Sequence, residues 1–208
     1  MSMLALARDL PRSLRSQRER KWTRFPATLI RGKTVGIFGI GAIAGELAPR
    51  CKAMGMTVVG ITSAQRPVAG FDRMYGRDEL VNAVRDLDYL VLLTPYTPAT
   101  RHIVNAAVFA AMKPGSYLVN LARGGVVDEM ALIQALEQGK LAGAALDVFA
   151  KEPLPDDHPF WSMDNVIITT HQGGFFDGYP DHALPVVENN LRRFLAGDLK
   201  HMTNIVRR

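Results

Sequence analysis

The chain has 208 residues, nearly half of them hydrophobic, enough for one substantial core. No apolar run approaches the length of a membrane span, and "MSMLALA" lacks the preceding basic residues of a secretory signal, so we expect a cytoplasmic protein. The formal charge of +5 is uneven: residues 1–33 hold nine Arg and Lys against Asp9 and Glu19, a net of +7, and the other 175 residues sum to −2. A basic arm therefore precedes a nearly neutral body. Without aromatic interleaving or a nucleic-acid-binding motif, the arm reads as a solvated or subunit-contacting helix rather than a nucleic-acid contact.

Met3, Leu6, Ala7 and Leu10 form a helical stripe that Pro11 is expected to end or bend. From residue 33 onward, short aliphatic runs alternate with helical patterns. The runs "KTVGIF" (33–38), "MTVVGI" (56–61), "DYLVLL" (88–93), "SYLVNL" (116–121), "AGAALDV" (142–148) and "NVIITT" (165–170) suit strands buried on both faces. Helices are expected over 43–54, 78–87, 105–112, 128–138 and 181–196. Asp128 caps the fourth, Gly139 terminates it, and Gly197 ends the last. The order predicts an α/β fold built on a doubly wound parallel sheet. Its divisions are a basic arm helix and connection (1–30), a dinucleotide-binding domain (31–176), and a C-terminal helix and tail (177–208). The lone Cys51 cannot form an intramolecular disulfide, and the face Ile43, Leu47, Cys51, Met54 predicts that it packs in the core.

"GIFGIGAIAG" carries G-x-G-x-x-A at Gly39, Gly41 and Ala44, directly after a strand and opening a helix. Gly39 permits a tight turn, Gly41 a close approach of backbone to a pyrophosphate, and Ala44 close packing of helix on strand. The free N–H groups from Gly41 through Ala42, Ile43 and Ala44 would receive the phosphates. Where an NAD-selecting carboxylate would sit stands Thr62. Thr62 and Ser63 offer hydroxyls and Arg66 a forked cation suited to a 2′-phosphate, so NADP(H) is expected over NAD(H), although Arg66 also reads as a solvated loop residue. Thr94 and Pro95, directly after the third of these runs, complete the expected cofactor contacts.

Three later segments, "NLARGGVVDEMALIQAL" (120–136), "AALDVFAKEPLPDDHPFW" (144–161) and "VIITTHQGG" (166–174), stand at carboxyl ends of strands. With them the chain resembles the D-isomer-specific 2-hydroxyacid dehydrogenases, in particular their Rossmann-type nucleotide-binding domain. The resemblance implies that Arg123 binds the carboxylate and carbonyl of a small 2-keto or 2-hydroxy acid, that His171 is the acid/base, and that Glu152 pairs with it. It also assigns the nicotinamide carboxamide to Asp147 and implies a homodimer. His102, His158, His182 and His201 read as surface or loop residues with no metal-ligand spacing, and Trp161 as core, with a place in the lining of the active cleft as the alternative.

The sequence departs from the family pattern at Thr170, where proline is usual, at Gln172–Gly174, and at Ala42, where arginine is common. "MSMLALARDLPR" resembles the arm helix that in relatives follows most of a separate substrate-binding lobe. The stripe Met3, Leu6, Leu10 and the final helix are therefore expected to expose apolar surface or bury it in a dimer. The same resemblance extends to dehydrogenase-like corepressors, so a non-catalytic NAD(P)-sensing or scaffold protein is the alternative.

Overall fold

Aliphatic runs with no polar alternation need cover on both faces, and the first five find it inside a central sheet, whereas the run at 165–170 forms a short, half-buried strand at the sheet edge. A computed structural model describes residues 1–63 and 66–205; the end of the 177–208 tail lies outside them. They form two compact units, Met1–Thr170 and a second beginning at His171.

The first unit opens with helices α1 (Ser2–Ala7) and α2 (Leu10–Arg18). Its sheet comprises β1 (Thr34–Phe38), β2 (Thr57–Thr62), β3 (Arg73–Gly76), β4 (Tyr89–Leu92), β5 (Ser116–Asn120), β6 (Leu141–Leu146) and β7 (Val166–Ile168). The intervening helices are α3 (Ala42–Ala53), α4 (Leu80–Ala83), α5 (Ala106–Ala111) and α6 (Glu129–Glu137). The seven strands lie in the order β3-β2-β1-β4-β5-β6-β7, and every pairing is parallel. The expected doubly wound sheet is present. Because all strands point one way, every loop that follows a strand emerges on one edge, and the order reverses between β1 and β4.

Alternate residues divide the core. Val35, Ile37, Tyr89 and Val91 face α1 and α3, whereas Phe38, Leu90 and Leu92 face α4, α5 and α6. At the opposite, amino-terminal edge the Asp88 carboxylate accepts the Thr34 N–H at 2.8 Å and the Lys113 ammonium at 2.8 Å. Burial pushes the Asp88 pKa up, but the Lys113 and Thr34 hydrogen bonds and the charges of Lys113 and Lys33 together hold it below the usual aspartate range.

Several expectations are corrected. Pro11 does not end the first helix: it stands in the first turn of α2, where its missing N–H costs nothing, and Asp9 caps that helix by accepting the Arg12 N–H. Met3 and Leu6 are neither exposed nor in need of a partner chain. They are buried with Ala7 as α1 packs on β5 and β6, and Leu6 lies over Gly143, where an added Cβ would stand 3.4 Å from Leu6 Cδ2. Only Leu10, 44% exposed, stays at the surface.

Cys51 is buried and burial pushes its thiol pKa up, but the buried face of α3 is Ala44, Ala48 and Cys51, while Ile43 is exposed. Trp161 is half exposed rather than core, its indole N–H donating to the Pro155 carbonyl at 2.8 Å. The helix expected over 78–87 is a four-residue α4 between two 3-10 turns, and β3 has no counterpart among the expected strands.

In the second unit, α7 (Tyr179–Leu195) carries Leu184, Val187, Leu191 and Phe194 as exposed side chains. It stops before Gly197, whose φ of +74° is the left-handed terminator expected of that residue. Asp198 binds Arg193 and His201 and closes the end of the helix.

Candidate functional site

The glycine loop is built by two separate demands. Gly39 has φ +104°, a conformation L side chains rarely adopt, and an added Cβ would stand 2.4 Å from the Thr94 backbone nitrogen. Only glycine lets the β1 exit press against the β4 exit, where Leu93 N–H donates to the Phe38 carbonyl at 2.7 Å. Gly41 is different: its backbone is extended, and an added Cβ would meet nothing within 4 Å. It begins α3 with no side-chain cap, so the amides of Ala42, Ile43 and Ala44 open the helix without a carboxylate or hydroxyl upon them. Ala44 is fully buried against the sheet. These features fit an anionic dinucleotide: bare amides and a helix dipole on the open side, close packing on the other.

Along the same edge β2 ends in Thr62, half-buried, and Ser63, exposed; Arg66 is exposed farther on. After β4, Thr94 is buried and Pro95 exposed. The Pro95 carbonyl accepts the Thr100 hydroxyl at 2.7 Å, which curls residues 95–100 into a turn.

The next two loops are joined. Asn120, buried at the end of β5, accepts the Ala122 N–H at 3.1 Å and donates to the Arg123 carbonyl at 3.3 Å, setting the turn that presents Arg123. The Arg123 guanidinium is exposed and donates to the Ala122 carbonyl at 2.6 Å. Gly124 follows with no room for a side chain, since an added Cβ would be 1.8 Å from the Phe149 carbonyl carbon. The Phe149 N–H in turn donates to Glu152 Oε1 at 2.9 Å. Gly124 therefore brings the turns of Arg123 and Glu152 into backbone contact.

Asp147, after β6, is buried; its carboxylate accepts the Thr169 hydroxyl and its N–H donates to the Asn120 carbonyl at 3.0 Å. His171 opens the second unit with φ +54°, a left-handed conformation uncommon outside glycine, asparagine, aspartate and histidine and frequent at strained functional positions. The structure thus places Gly39–Ala44, Thr62, Ser63, Thr94, Pro95, Arg123, Asp147 and Glu152 at the carboxyl edge of one sheet, with Arg66 farther along the loop after β2.

Residues 1–173 match the model of the D-isomer specific 2-hydroxyacid dehydrogenase, NAD binding domain. The chain belongs to this family. It is 38% identical over 200 residues to a D-3-phosphoglycerate dehydrogenase of Methanocaldococcus jannaschii, covering 95% of this chain and 38% of that one. Against the glyoxylate/hydroxypyruvate reductase A of Photorhabdus laumondii it is 33% identical over 183 residues, covering 88% of this chain and 58% of the relative. The chain thus spans well under two thirds of these relatives. Among solved structures, a D-isomer specific 2-hydroxyacid dehydrogenase from Xanthobacter autotrophicus Py2, in complex with NADPH and MES, superposes with a TM-score of 0.88 at 35% identity, covering 99% of this chain and 84% of that one.

Sequence reasoning passed over Glu129 and set His158 aside. His158 is largely enclosed: its Nδ1 accepts the Phe160 N–H at 3.3 Å, and its Nε2 lies 3.7 Å from Glu129. The signal for Glu129 was its place directly after the capping Asp128, ready to reach away from its own helix. Among the described residues no group of three or more His, Cys, Asp or Glu is arranged to hold a metal ion, and no helix is long and apolar enough to cross a membrane.

Proposed function

We propose that the chain binds NADP(H) along the carboxyl edge of its sheet and serves reversible hydride transfer between that coenzyme and a small 2-keto or 2-hydroxy acid. The carrying observation is the loop Gly39–Ala44, tight where β1 meets β4 and open, with uncapped amides, where α3 begins. The amides of Ala42, Ile43 and Ala44 hold the pyrophosphate. Thr62, Ser63 and Arg66 hold the adenosine ribose and its 2′-phosphate, Thr94 and Pro95 flank the bound dinucleotide, and Asp147 orients the carboxamide.

The nicotinamide supplies or accepts the hydride when bound. Arg123 grips the substrate carboxylate through its fork of N–H donors and stabilises negative charge on the C2 oxygen. His171 gives a proton to that oxygen in reduction and takes it back in oxidation, with Glu152 as the carboxylate partner that the family resemblance assigns to it. A homodimer is part of the proposal, supported by the exposure of Leu10 and Leu14 on α2. A cytoplasmic setting is supported by the single, buried cysteine.

Coenzyme titration tests the choice of nucleotide. Wild-type protein is expected to bind NADPH more tightly than NADH. Arg66→Ala should weaken NADPH by about tenfold or more, the worth of a hydrogen bond to a charged group, and leave NADH unchanged. Tighter binding of NADH by the wild type would overturn the NADP(H) reading.

A further inference from the structure

We propose that Glu129 is a positioning residue that fixes the turn from Phe149 to Glu152 and so aims the Glu152 carboxylate; the inference rests on the reading of Glu152 as the partner of the acid/base. Glu129 is the first residue of α6, yet its side chain does not serve that helix. Asp128 already caps it, accepting the Ala131 N–H at 3.2 Å. Glu129 reaches outward instead, and its Oε1 accepts the Ala150 N–H at 2.7 Å. With the Phe149 N–H on Glu152 at 2.9 Å, two consecutive amides of the turn are taken by two carboxylates, one from inside the turn and one from α6. Charge-assisted bonds of this length are about twice as strong as neutral ones.

The rest of the surroundings hold Glu129 in that pose. Its side chain and that of His158 are each 18% exposed, with Nε2 of the imidazole 3.7 Å from Glu129 Oε2. Because His158 Nδ1 is an acceptor for the Phe160 N–H, the ring proton resides on Nε2, toward the carboxylate. Phe160 is buried between the His158 ring at 4.6 Å and the Phe149 ring at 6.4 Å, so the residues flanking the turn form one packed group.

Without Glu129 the Ala150 N–H turns to water, and the turn keeps only its internal bond and the Gly124 contact. The Glu152 carboxylate then wanders, and displacements of about 1 Å at such a group cost as much as 100-fold in rate. The glycine loop and the Arg123 guanidinium belong to other segments and should keep their binding roles.

The test uses full-length E129D and E129Q. Aspartate keeps the negative charge at the helix start but is one methylene too short for Ala150; glutamine keeps the reach and the acceptor without the charge. In E129D, amide exchange at Ala150 is expected to accelerate about tenfold or more, the worth of one charge-assisted hydrogen bond, while E129Q, which keeps a neutral acceptor within reach, accelerates it by a clearly smaller factor. NADPH affinity should be unchanged in both. For 2-keto acid reduction, kcat should fall at least about tenfold in E129D with little change in KM, and E129Q should recover most of it. Unchanged exchange in E129D, faster exchange with kcat unmoved, or equal losses in both variants would overturn the proposal. Should wild type reduce no 2-keto acid, the functional reading fails, and the exchange measurement still decides whether Glu129 holds the turn.

Discussion

Gly124→Ala is expected to lower stability by about 3 kcal/mol, which for a chain of this size lowers Tm by roughly 10 °C. The reason is backbone against backbone. The new Cβ would stand 1.8 Å from the Phe149 carbonyl carbon, 2.0 Å from its oxygen and 2.2 Å from the Ala150 nitrogen, and no flexible side chain is available to yield. Relief requires the Arg123 and Glu152 turns to separate, so turnover should fall more steeply than stability. Gly41→Ala is the contrasting control, because its Cβ would enter open space in an extended backbone and leave Tm near wild type. Thermal melts of the two variants check this. Equal Tm values would mean that the close approach at Gly124 is not a constraint on the fold.

His171→Asn is expected to reduce kcat/KM for 2-keto acid reduction by about 10² to 10⁴, the range attributed to a positioned general acid. Asparagine is chosen because residue 171 has φ +54° and asparagine tolerates that conformation, so the loss reports proton transfer rather than backbone strain. NADPH affinity should stay within about twofold, since no phosphate or ribose contact is assigned to this side chain. Arg123→Lys should instead raise KM, because a single ammonium replaces the fork that grips a carboxylate. Following NADPH oxidation with glyoxylate or hydroxypyruvate measures both. A His171→Asn rate equal to wild type would remove this residue from the chemistry.

Legibility followed burial. Strands such as 33–38 and 88–93 stood out because both faces are covered, which leaves runs with no polar interruption. Strand β3 stayed hidden because it is four residues long, lies at the sheet edge and is only partly buried, so nothing forces an apolar pattern upon it. Pro11 misled because proline breaks a helix interior but suits a first turn, and only the capping Asp9 tells the two apart. The α3 face was read one residue off: close packing selects the small Ala44 and Ala48, while the larger Ile43 lies outside.

At the site, the motif residues with an unusual spacing were visible, whereas what ties them together was not. The contact of Gly124 with Phe149 and the bond from Glu129 to Ala150 join segments more than twenty residues apart, and no local pattern encodes such a meeting. The assignments of Arg123, Glu152 and His171 came from resemblance to a family, to which the chain proves to belong.

The most direct test of the account is to titrate the amide-resolved spectrum of ¹⁵N-labelled protein with NADPH. The account predicts saturable shifts that are largest at the amides of Gly41, Ala42, Ile43 and Ala44, with Thr62 and Thr94 following at the same midpoint. No shift at millimolar NADPH, or shifts confined to the Thr34 and Asp88 edge of the sheet, would contradict it.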